Sequence, residues 1–138
     1  PEDRDEKNQS HYHWGGRYPP PNGSGNYADA VAGREFGWSF AIDSLNDGYA
    51  TTAPVGSFRS TSEGLYDLGG NVWEWCEDRY SSDGEKRVLR GGSWGYYYRD
   101  GLLSSYRSLN APTGRRSNIG FRCVLAVGGS TGRLASEE

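Results

Sequence analysis

Only three short segments of this chain have the sequence pattern of β-strands, and long turn-forming stretches separate them. The first is VWEWC at 72–76, which follows the glycine pair at 69–70. The second is RVLRGGSW at 87–94, preceded by the turn SSDGEK, and the third and most strand-like is IGFRCVLAV at 119–127. Alternating or continuous runs of large apolar residues between turn signals are typical of short strands. The chain is therefore expected to hold a small sheet surrounded by irregular backbone.

Glycine and aromatic residues restrict the fold further. Glycine supplies 21 of 138 residues, which implies many turns. Only 34% of the residues are hydrophobic, yet 14% are aromatic. Disordered chains are poor in aromatic residues, so this composition predicts a folded core built on a few large rings. We predict an α+β domain with short strands, much irregular backbone and little helix, the helix being confined to Asp29–Phe36.

The order of these segments predicts one domain with polar ends. Residues 1–10 are charged and are expected to be an exposed lead-in, and 128–138 are expected to be a flexible tail. Residues 11–127 form the domain. No segment early in the chain supplies a partner for the predicted strands. We therefore expect this chain to be the C-terminal part of a larger domain, and the N-terminal half of that domain to be a candidate partner.

Charge and cysteine content narrow the classes of partner. A formal net charge of -3 gives no reason to expect nucleic acid, and no apolar run reaches the length of a membrane span. Between Tyr98 and Arg122, however, five arginines accompany one acid, Asp100, so this stretch is locally positive. The two cysteines, Cys76 and Cys123, leave a disulfide and two free thiols both open, and a zinc site would need more ligands.

Several motifs, in order, resemble those of the formylglycine-generating-enzyme (sulfatase-modifying factor) family. They are GLYDLGGNVWEWCEDRY, RVLRGGSW and IGFRC, and the upstream stretches HWGGRYPPPNGSGNYAD and NDGYATTAPVGSF are similar to the same family's middle region. The resemblance covers about residues 11–124. It implies a C-type lectin-like fold of the formylglycine-generating-enzyme type, of which this chain would be the C-terminal part.

The resemblance does not carry the family's chemistry with it. The enzymes of this family bind copper through two cysteines, five residues apart, shortly after the GGS motif. The matching positions here are Tyr96 and Gly101, and neither supplies the thiolate that cuprous ion requires. We therefore expect no copper and no oxidase activity. An enzyme with repurposed chemistry stays open, because tyrosine and Asp100 can act as acid and base.

The segment between the two glycine-containing motifs has an unusual residue set. From Gly95 through Asn118 it contains no Lys, Glu, Gln, Met or Trp. These five types cannot be reached when the adenines of an AAC or AAT codon are replaced, whereas Asn, Ser, Tyr, Asp, Gly, Leu and Arg can. The pattern resembles the variable region of diversity-generating retroelements, here about residues 90–122. Their variable proteins have C-type lectin folds, so the resemblance implies a ligand-binding display protein on a cell surface or virus particle.

Chance or drift in an inert structural module is the alternative explanation of the same pattern. If the segment is a variable region, its tyrosines supply contact area while Ser, Gly and Asn supply adaptable hydrogen bonds. We expect Tyr96, Asp100, Ser108 and Asn118 to be exposed on one face, and LLSSYR at 102–107 to be fixed scaffold. The predicted variable, ligand-binding positions are Gly95, Tyr96, Tyr97, Tyr98, Asp100, Gly101, Ser108, Leu109, Asn110, Gly114, Arg116, Ser117 and Asn118.

The resemblance also implies one or two structural calcium sites. Carboxylates combined with backbone carbonyls at turns are the oxygen ligands that calcium prefers. Alternatively, Asp47 and Asp67 are ordinary turn formers and Glu74 pairs with an arginine. The first predicted ligand set is Asp29, Ala30, Asp47 and Tyr49, and the second is Asp67, Gly70, Val72 and Glu74.

Large rings and arginines in the motifs are expected to support the domain. We predict that Trp73, Trp75 and Trp94 belong to the core. Arg90 and Arg122 are predicted to form carboxylate pairs, with Glu74 or Glu77 as partners, because the guanidinium fork matches a carboxylate.

Overall fold

A computed structural model describes residues 11–125, which hold one short α-helix and a four-stranded sheet. The predicted lead-in 1–10 and tail 128–138 lie outside the described residues. Helix α1 spans Ala30–Phe36, and a 3₁₀ helix spans Arg99–Leu102. The strands are β1 (Trp73–Arg79), β2 (Arg87–Arg90), β3 (Ser108–Asn110) and β4 (Ile119–Gly120).

The sheet has the order β3-β2-β1-β4. Strand β2 is antiparallel to both β1 and β3, whereas β4 runs parallel to β1 with Ile119 opposite Trp73. The first two predicted strands are confirmed. The third is mostly wrong, because only 119–120 pair and 121–125 are exposed without regular structure. An apolar run becomes a strand only where it finds a partner, and the described residues supply none beyond Gly120.

Helix α1 confirms the short helix expected within Asp29–Phe36. The Asp29 carboxylate caps it, with Oδ1 accepting hydrogen bonds from the N–H groups of Val31 at 2.8 Å and Ala32 at 3.0 Å. The helix ends at Gly37, whose φ of +65° is the left-handed conformation common after a helix C-terminus. A capping aspartate and a terminating glycine thus account for both ends of the element.

The core lies beside the sheet and is built largely from aromatic and branched residues. Tyr27 and Leu45 are essentially inaccessible, and Leu102 joins them from the 3₁₀ helix. The burial of Leu102 supports the expectation that 102–107 is scaffold. Of the three tryptophans predicted in the core, Trp73 is buried, whereas Trp75 and Trp94 are half-buried.

Backbone hydrogen bonds join the three sequence motifs into one unit, which we call the frame (residues 68–74, 90–94 and 118–122). The Gly70 N–H donates to the carbonyl of Gly91 at 2.8 Å, and the Trp94 N–H donates to that of Asn71 at 2.9 Å. Asn71 is fully engaged, since its side chain also accepts from the Ala53 N–H and donates to the Ala53 carbonyl. Main-chain hydrogen bonds therefore join the motifs of the frame, and the Asn71 side chain anchors the frame to Ala53.

Two glycines in RGGSW explain why this motif resists substitution. Gly91 and Gly92 have φ values of +92° and +80°, where only glycine is unstrained. Gly70 in the facing motif combines φ +80° with close packing, because a Cβ there would overlap the Asn26 carbonyl oxygen and lie 2.9 Å from the Asn26 nitrogen. The frame motifs are glycine-rich for steric reasons.

Candidate binding face

Tyr96 packs inward from the start of the predicted variable segment. Its ring meets Trp73 edge-to-face at a centroid distance of 5.1 Å, and its hydroxyl donates to that of Tyr106 at 3.4 Å. Burial, followed by the hydrogen bond with Tyr106, raises the pKa of Tyr96 well above its usual value. The half-buried ring therefore stays protonated and acts as a packing element.

Gly101 lies directly beneath this ring. It is buried in the 3₁₀ helix, and a Cβ there would overlap Cε1 of Tyr96 and lie 2.8 Å from its Cζ. The two positions that match the family's cysteine pair thus contact one another, the larger residue covering the smaller. Nothing in the pair can ligate a soft metal ion.

Stacked rings run from the predicted segment onto a neighbouring turn. We call this set the aromatic row: Trp94, Trp38, Phe40, Tyr97 and Tyr98. Successive ring centroids lie 6.1, 5.2, 4.7 and 4.1 Å apart, with interplanar angles of 30° or less. Phe40 is 40% and Tyr98 57% exposed. The row is a continuous apolar surface with one solvent-facing side.

Two members of this row, Trp38 and Phe40, were not predicted from the sequence and lie outside the predicted variable region 90–122. Trp38 and Phe40 lie in FGWSF (36–40), which begins with the last residue of α1. The rings at 36, 38 and 40 alternate with small residues at 37 and 39. Alternation places rings on one side of an extended backbone, and this was the available signal. Contact with residues almost 60 positions later along the chain could not be inferred from it.

Exposure differs widely among the predicted variable positions. Of the four expected to be exposed on one face, only Asp100 is; Tyr96, Ser108 and Asn118 are half-buried. Gly101 is the one buried member of the predicted set. The fully exposed members are Tyr98, Asp100, Arg116 and Ser117, and the half-buried ones are Gly95, Tyr96, Tyr97, Ser108, Leu109, Asn110, Gly114 and Asn118.

The predicted positions lie in two places rather than in one patch. Asn118, the first residue of the third frame motif, donates from Nδ2 to the hydroxyl of Ser93, whose carbonyl accepts from the Tyr96 N–H, so Asn118 lies near Tyr96. Strand β3, containing Ser108, Leu109 and Asn110, forms the opposite edge of the sheet from β4. The structure thus brings 95–98, 101 and 118 together and places 108–110 apart.

Arg122 confirms the predicted pairing with Glu74. Its guanidinium contacts both carboxylate oxygens, with Nε to Oε2 at 2.7 Å and Nη2 to Oε1 at 2.6 Å. It also donates to the carbonyls of Tyr66 and Asp67 at 2.9 and 2.8 Å. The hydrogen-bonded carboxylate raises the pKa of Arg122 above its usual value. This cluster ties the end of the segment to the loop before β1.

Arg90 behaves differently, and its predicted carboxylate pair is wrong. Its Nη1 donates to the carbonyls of Ser104, Ser105 and Tyr106 at 3.2 to 3.3 Å. The three carbonyls of this stretch converge on Arg90, and its guanidinium satisfies them, which an aliphatic residue could not do. Arg90 thus fixes the scaffold stretch within the predicted variable region.

All five arginines of the positive stretch are exposed to solvent. Of these, Arg107 also lies over the Tyr80 ring at 5.0 Å and donates to the Tyr80 carbonyl. Cys76 and Cys123 are free thiols, so the disulfide left open by the sequence is absent.

Within residues 11–125, no basic side chain is hydrogen-bonded to either of the two neighbouring carboxylates of the first predicted calcium set. Asp29 is fully buried, and its Oδ2 accepts from the Asp47 N–H at 2.8 Å. Asp47 accepts from the N–H groups of Tyr27 and Tyr49. Burial raises the pKa of Asp47 to about 6, and the nearby Asp29 charge adds to this despite the two N–H donors. Backbone N–H groups contact all four oxygens of this pair, and their remaining lone pairs, with the Ala30 and Tyr49 carbonyls close by in sequence, suit a hard cation.

The second predicted set fits calcium less well. Both oxygens of Glu74 are engaged by Arg122, and the Asp67 carbonyl accepts from the same guanidinium. Asp67 Oδ2 accepts from the Gly56 N–H, whereas its buried Oδ1 has no hydrogen-bond partner. In residues 11–125 no three His, Cys, Asp or Glu side chains gather as metal ligands. Calcium at Gly70, Val72 and Glu74 would have to displace the arginine.

Solved structures resemble this chain over most of its length. PvdO from Pseudomonas aeruginosa superposes with a TM-score of 0.56 at 27% identity, covering 78% of this chain and 44% of that one. Treponema denticola variable protein 1 superposes with a TM-score of 0.49 at 30% identity, covering 72% of this chain and 34% of that one.

Among the described residues no helix is long and apolar enough to cross a membrane.

Curated relatives are similar in sequence and much longer. The formylglycine-generating enzyme of Streptomyces coelicolor is 32% identical over 150 residues, covering 80% of this chain and 47% of the enzyme. Inactive C-alpha-formylglycine-generating enzyme 2 of Bos taurus is 39% identical over 99 residues, covering 67% of this chain and 33% of the relative. The chain thus spans less than half the length of these relatives.

The family model for the sulfatase-modifying factor enzyme 1-like domain matches residues 4–127. The short strands, little helix and irregular backbone predicted from the sequence agree with this match. The chain belongs to the sulfatase-modifying factor enzyme 1-like domain family and has its α+β, C-type lectin-like fold of the formylglycine-generating-enzyme type.

Proposed function

We propose that this chain is a non-catalytic ligand-binding domain that displays a diversified surface between residues 95 and 118. The observation that carries the proposal is the packing of Tyr96 over Gly101. These two positions match the cysteine pair of the family's oxidases, and here they form a thiol-free contact between a ring and a glycine. In this proposal, the two positions at which an oxidase of the family activates oxygen instead form part of the binding face.

The aromatic row supports a binding role. Exposed rings that are already stacked lose little side-chain entropy when a ligand covers them. Tyr98 and Phe40 offer apolar area, and the neighbouring Asp100 and Arg99 offer charged hydrogen-bonding groups at the solvent-facing edge. A face of this composition is typical of protein-binding sites.

The residue set of the segment supports diversification by adenine-directed mutagenesis. Five residue types that asparagine codons cannot reach are missing from Gly95 through Asn118, while Lys, Glu, Gln and Trp occur elsewhere in the chain. The left-handed glycines of the frame, Gly70, Gly91 and Gly92, lie outside this segment. Variation at 95–118 would therefore leave the main-chain support intact.

The repurposed enzyme is the weaker alternative on this geometry. Tyr96 is half-buried, and its raised pKa keeps the hydroxyl protonated at neutral pH, so it is a poor base there. Asp100 is exposed, where a carboxylate keeps its water shell and has no fixed direction. An inert module, the other alternative, does not account for an exposed aromatic row.

The first test is the DNA that flanks the gene. We expect a near-copy of the Arg90–Arg122 segment that differs from the gene only at adenines, together with a reverse-transcriptase gene. The matched comparison is the segment encoding residues 57–89, for which no such copy is expected. A copy with differences at all four bases, or no copy, would contradict the diversification.

We also propose that calcium binds at Asp29 and Asp47. When bound, calcium would supply positive charge that neutralises two neighbouring carboxylates and holds the loop after Ile42 to the start of α1. Adding calcium to chelator-treated protein should raise Tm by roughly 5 °C or more at saturation. Asp47→Asn should abolish this rise, whereas Asp43→Asn, at an exposed position of the same loop, should keep it. An unchanged Tm with calcium would contradict this site.

The N-terminal half of the larger domain is the proposed intramolecular partner. Phe121, Val124 and Leu125 are 75% to 87% exposed, an unusual state for apolar residues next to a sheet. Co-expression with the preceding part of the gene should give a complex that purifies together. Failure of Phe121→Asp to weaken this complex would contradict the assignment of the covered surface.

A further inference from the structure

We infer that positions 96 and 101 form one recognition element, so that the binding face takes a side chain from one of them at a time. This inference rests on the proposed function and deepens it, because it says which combinations the variable surface can present. The evidence is the relation between the Tyr96 ring and the Gly101 backbone.

Glycine at 101 is not required by the backbone. Gly101 is absent from the glycines with positive φ and lies inside a regular 3₁₀ helix, where any L-residue is allowed. The nearest obstacle is the neighbouring ring, since an added Cβ would overlap Cε1 of Tyr96 and lie 2.8 Å from its Cζ and 2.9 Å from its Oη. The need for glycine at 101 is thus set by the residue at 96.

Contacts with two neighbouring residues hold the Tyr96 ring in its position. Tyr96 is packed between Trp73 and Tyr106, with centroid distances of 5.1 and 6.3 Å, and hydrogen-bonds to the latter. Moving the ring away from residue 101 breaks these contacts, including the part-buried hydrogen bond between the two hydroxyls. A side chain at 101 therefore replaces the ring at this place on the face and does not add to it.

Two different surfaces follow from this exclusion. With a ring at 96 and glycine at 101, the face is aromatic at this place and the Tyr96 ring meets that of Tyr98 edge-to-face, with the ring centroids 5.7 Å apart at an angle of 63°. With a small residue at 96, the 3₁₀ helix is free to project a side chain from 101 toward the ligand. The second arrangement suits a ligand with polar groups, and the first suits a flat apolar one.

A second pair of predicted variable positions, Asn110 and Gly114, has a similar geometry. A Cβ at Gly114 would lie 2.7 Å from Nδ2 of Asn110, and Gly114 also lacks a positive φ. The obstructing atom here is the end of a short side chain beside an exposed turn. We expect the same exclusion at 110 and 114, with a smaller effect.

The first experiment is a double-mutant cycle on thermal stability in the full chain. Gly101→Ala should lower Tm by roughly 4–12 °C when Tyr96 is present. In the Tyr96→Ala background the same change should shift Tm by less than about 2 °C. Equal shifts in both backgrounds, or none in either, would show that the ring does not obstruct position 101 and would overturn the inference.

The second experiment reads the allowed combinations directly. Positions 96 and 101 are randomised together in the full chain displayed on yeast, and protease-resistant clones are sequenced. Aromatic residues at 96 should co-occur with glycine at 101 about tenfold more often than independent choice predicts, equivalent to roughly 1.4 kcal/mol of coupling. Tyr98 and Asp100, both exposed, are the control pair and should vary independently.

These readouts separate this inference from the proposed function. Folding and protease resistance are measured without a ligand, so the coupling stands or falls even if no ligand exists. Independent variation at 96 and 101 would overturn the coupling and leave the display role untouched. If the template repeat is absent but the coupling between 96 and 101 is strong, the diversification is contradicted and the coupling still holds.

Discussion

The frame and the segment between its motifs are held by different kinds of interaction. The frame uses main-chain hydrogen bonds, such as Gly70 to Gly91, and glycines whose conformation or packing admits no side chain. Side-chain contacts are more prominent in the segment 95–117, where ring contacts and the Arg90 guanidinium add to main-chain bonds such as that from the Ala28 N–H to the Tyr96 carbonyl and to the β2–β3 pairing. Substitutions in the frame therefore act on the backbone, whereas substitutions in the segment act locally. This division is what a scaffold for variable residues requires.

The largest expected effect tests the backbone half of this contrast. Gly70→Ala should reduce the free energy of unfolding by at least about 3 kcal/mol, because it adds left-handed strain to an overlap with the Asn26 backbone. Gly48→Ala is the matched control, since Gly48 has φ +91° but open space around its Cβ. It should cost only about 1 kcal/mol. Denaturant unfolding measures both, and equal costs would mean that packing at Gly70 is not limiting.

The second effect concerns the side-chain bridge at the end of the segment. Arg122→Gln should cost roughly 1–2 kcal/mol, since it removes a two-oxygen contact with half-buried Glu74 and two carbonyl hydrogen bonds. Arg122→Lys should recover only part of this loss, because an ammonium cannot bind both oxygens and both carbonyls. Arg115→Gln, at an exposed arginine, should change stability by less than about 0.5 kcal/mol. A loss at Arg115 as large as that at Arg122 would contradict the bridge.

Sequence patterns predicted the frame better than the segment, for reasons visible in single residues. Asp29 and Gly37 mark a helix through local capping, and glycine pairs mark positions where a side chain is excluded. Strand β3 has three residues and no alternation, so its pairing with β2 depends on a distant partner. Arg90 and Arg122 look alike in sequence, but one meets carbonyls and the other a carboxylate. Partner identity is a tertiary property that spacing does not encode.

The third prediction concerns His13, which lies against Gly69 at the edge of the frame. Burial lowers the pKa of His13, although the nearby Ser24 carbonyl opposes this. Because the folded state binds the proton less readily than the unfolded state, stability is full above the unfolded pKa and falls as the pH drops below it. His13→Gln should flatten the loss of stability between about pH 7 and pH 5. His11→Gln, at an exposed position, is the control and should keep the slope.

The smallest expected effect lies within the segment itself and decides which positions are free to vary. Tyr98→Ser removes a ring that is 57% exposed, so the free energy of unfolding should change by less than about 0.5 kcal/mol. Tyr96→Ser should reduce the free energy of unfolding by about 2 kcal/mol, because the Tyr96 ring packs against Trp73 and its hydroxyl donates to that of Tyr106. Equal costs would mean that the segment behaves like the frame. A difference of this size would instead show that free variation is confined to the solvent-facing end of the aromatic row, while position 96 varies only with its partner at 101.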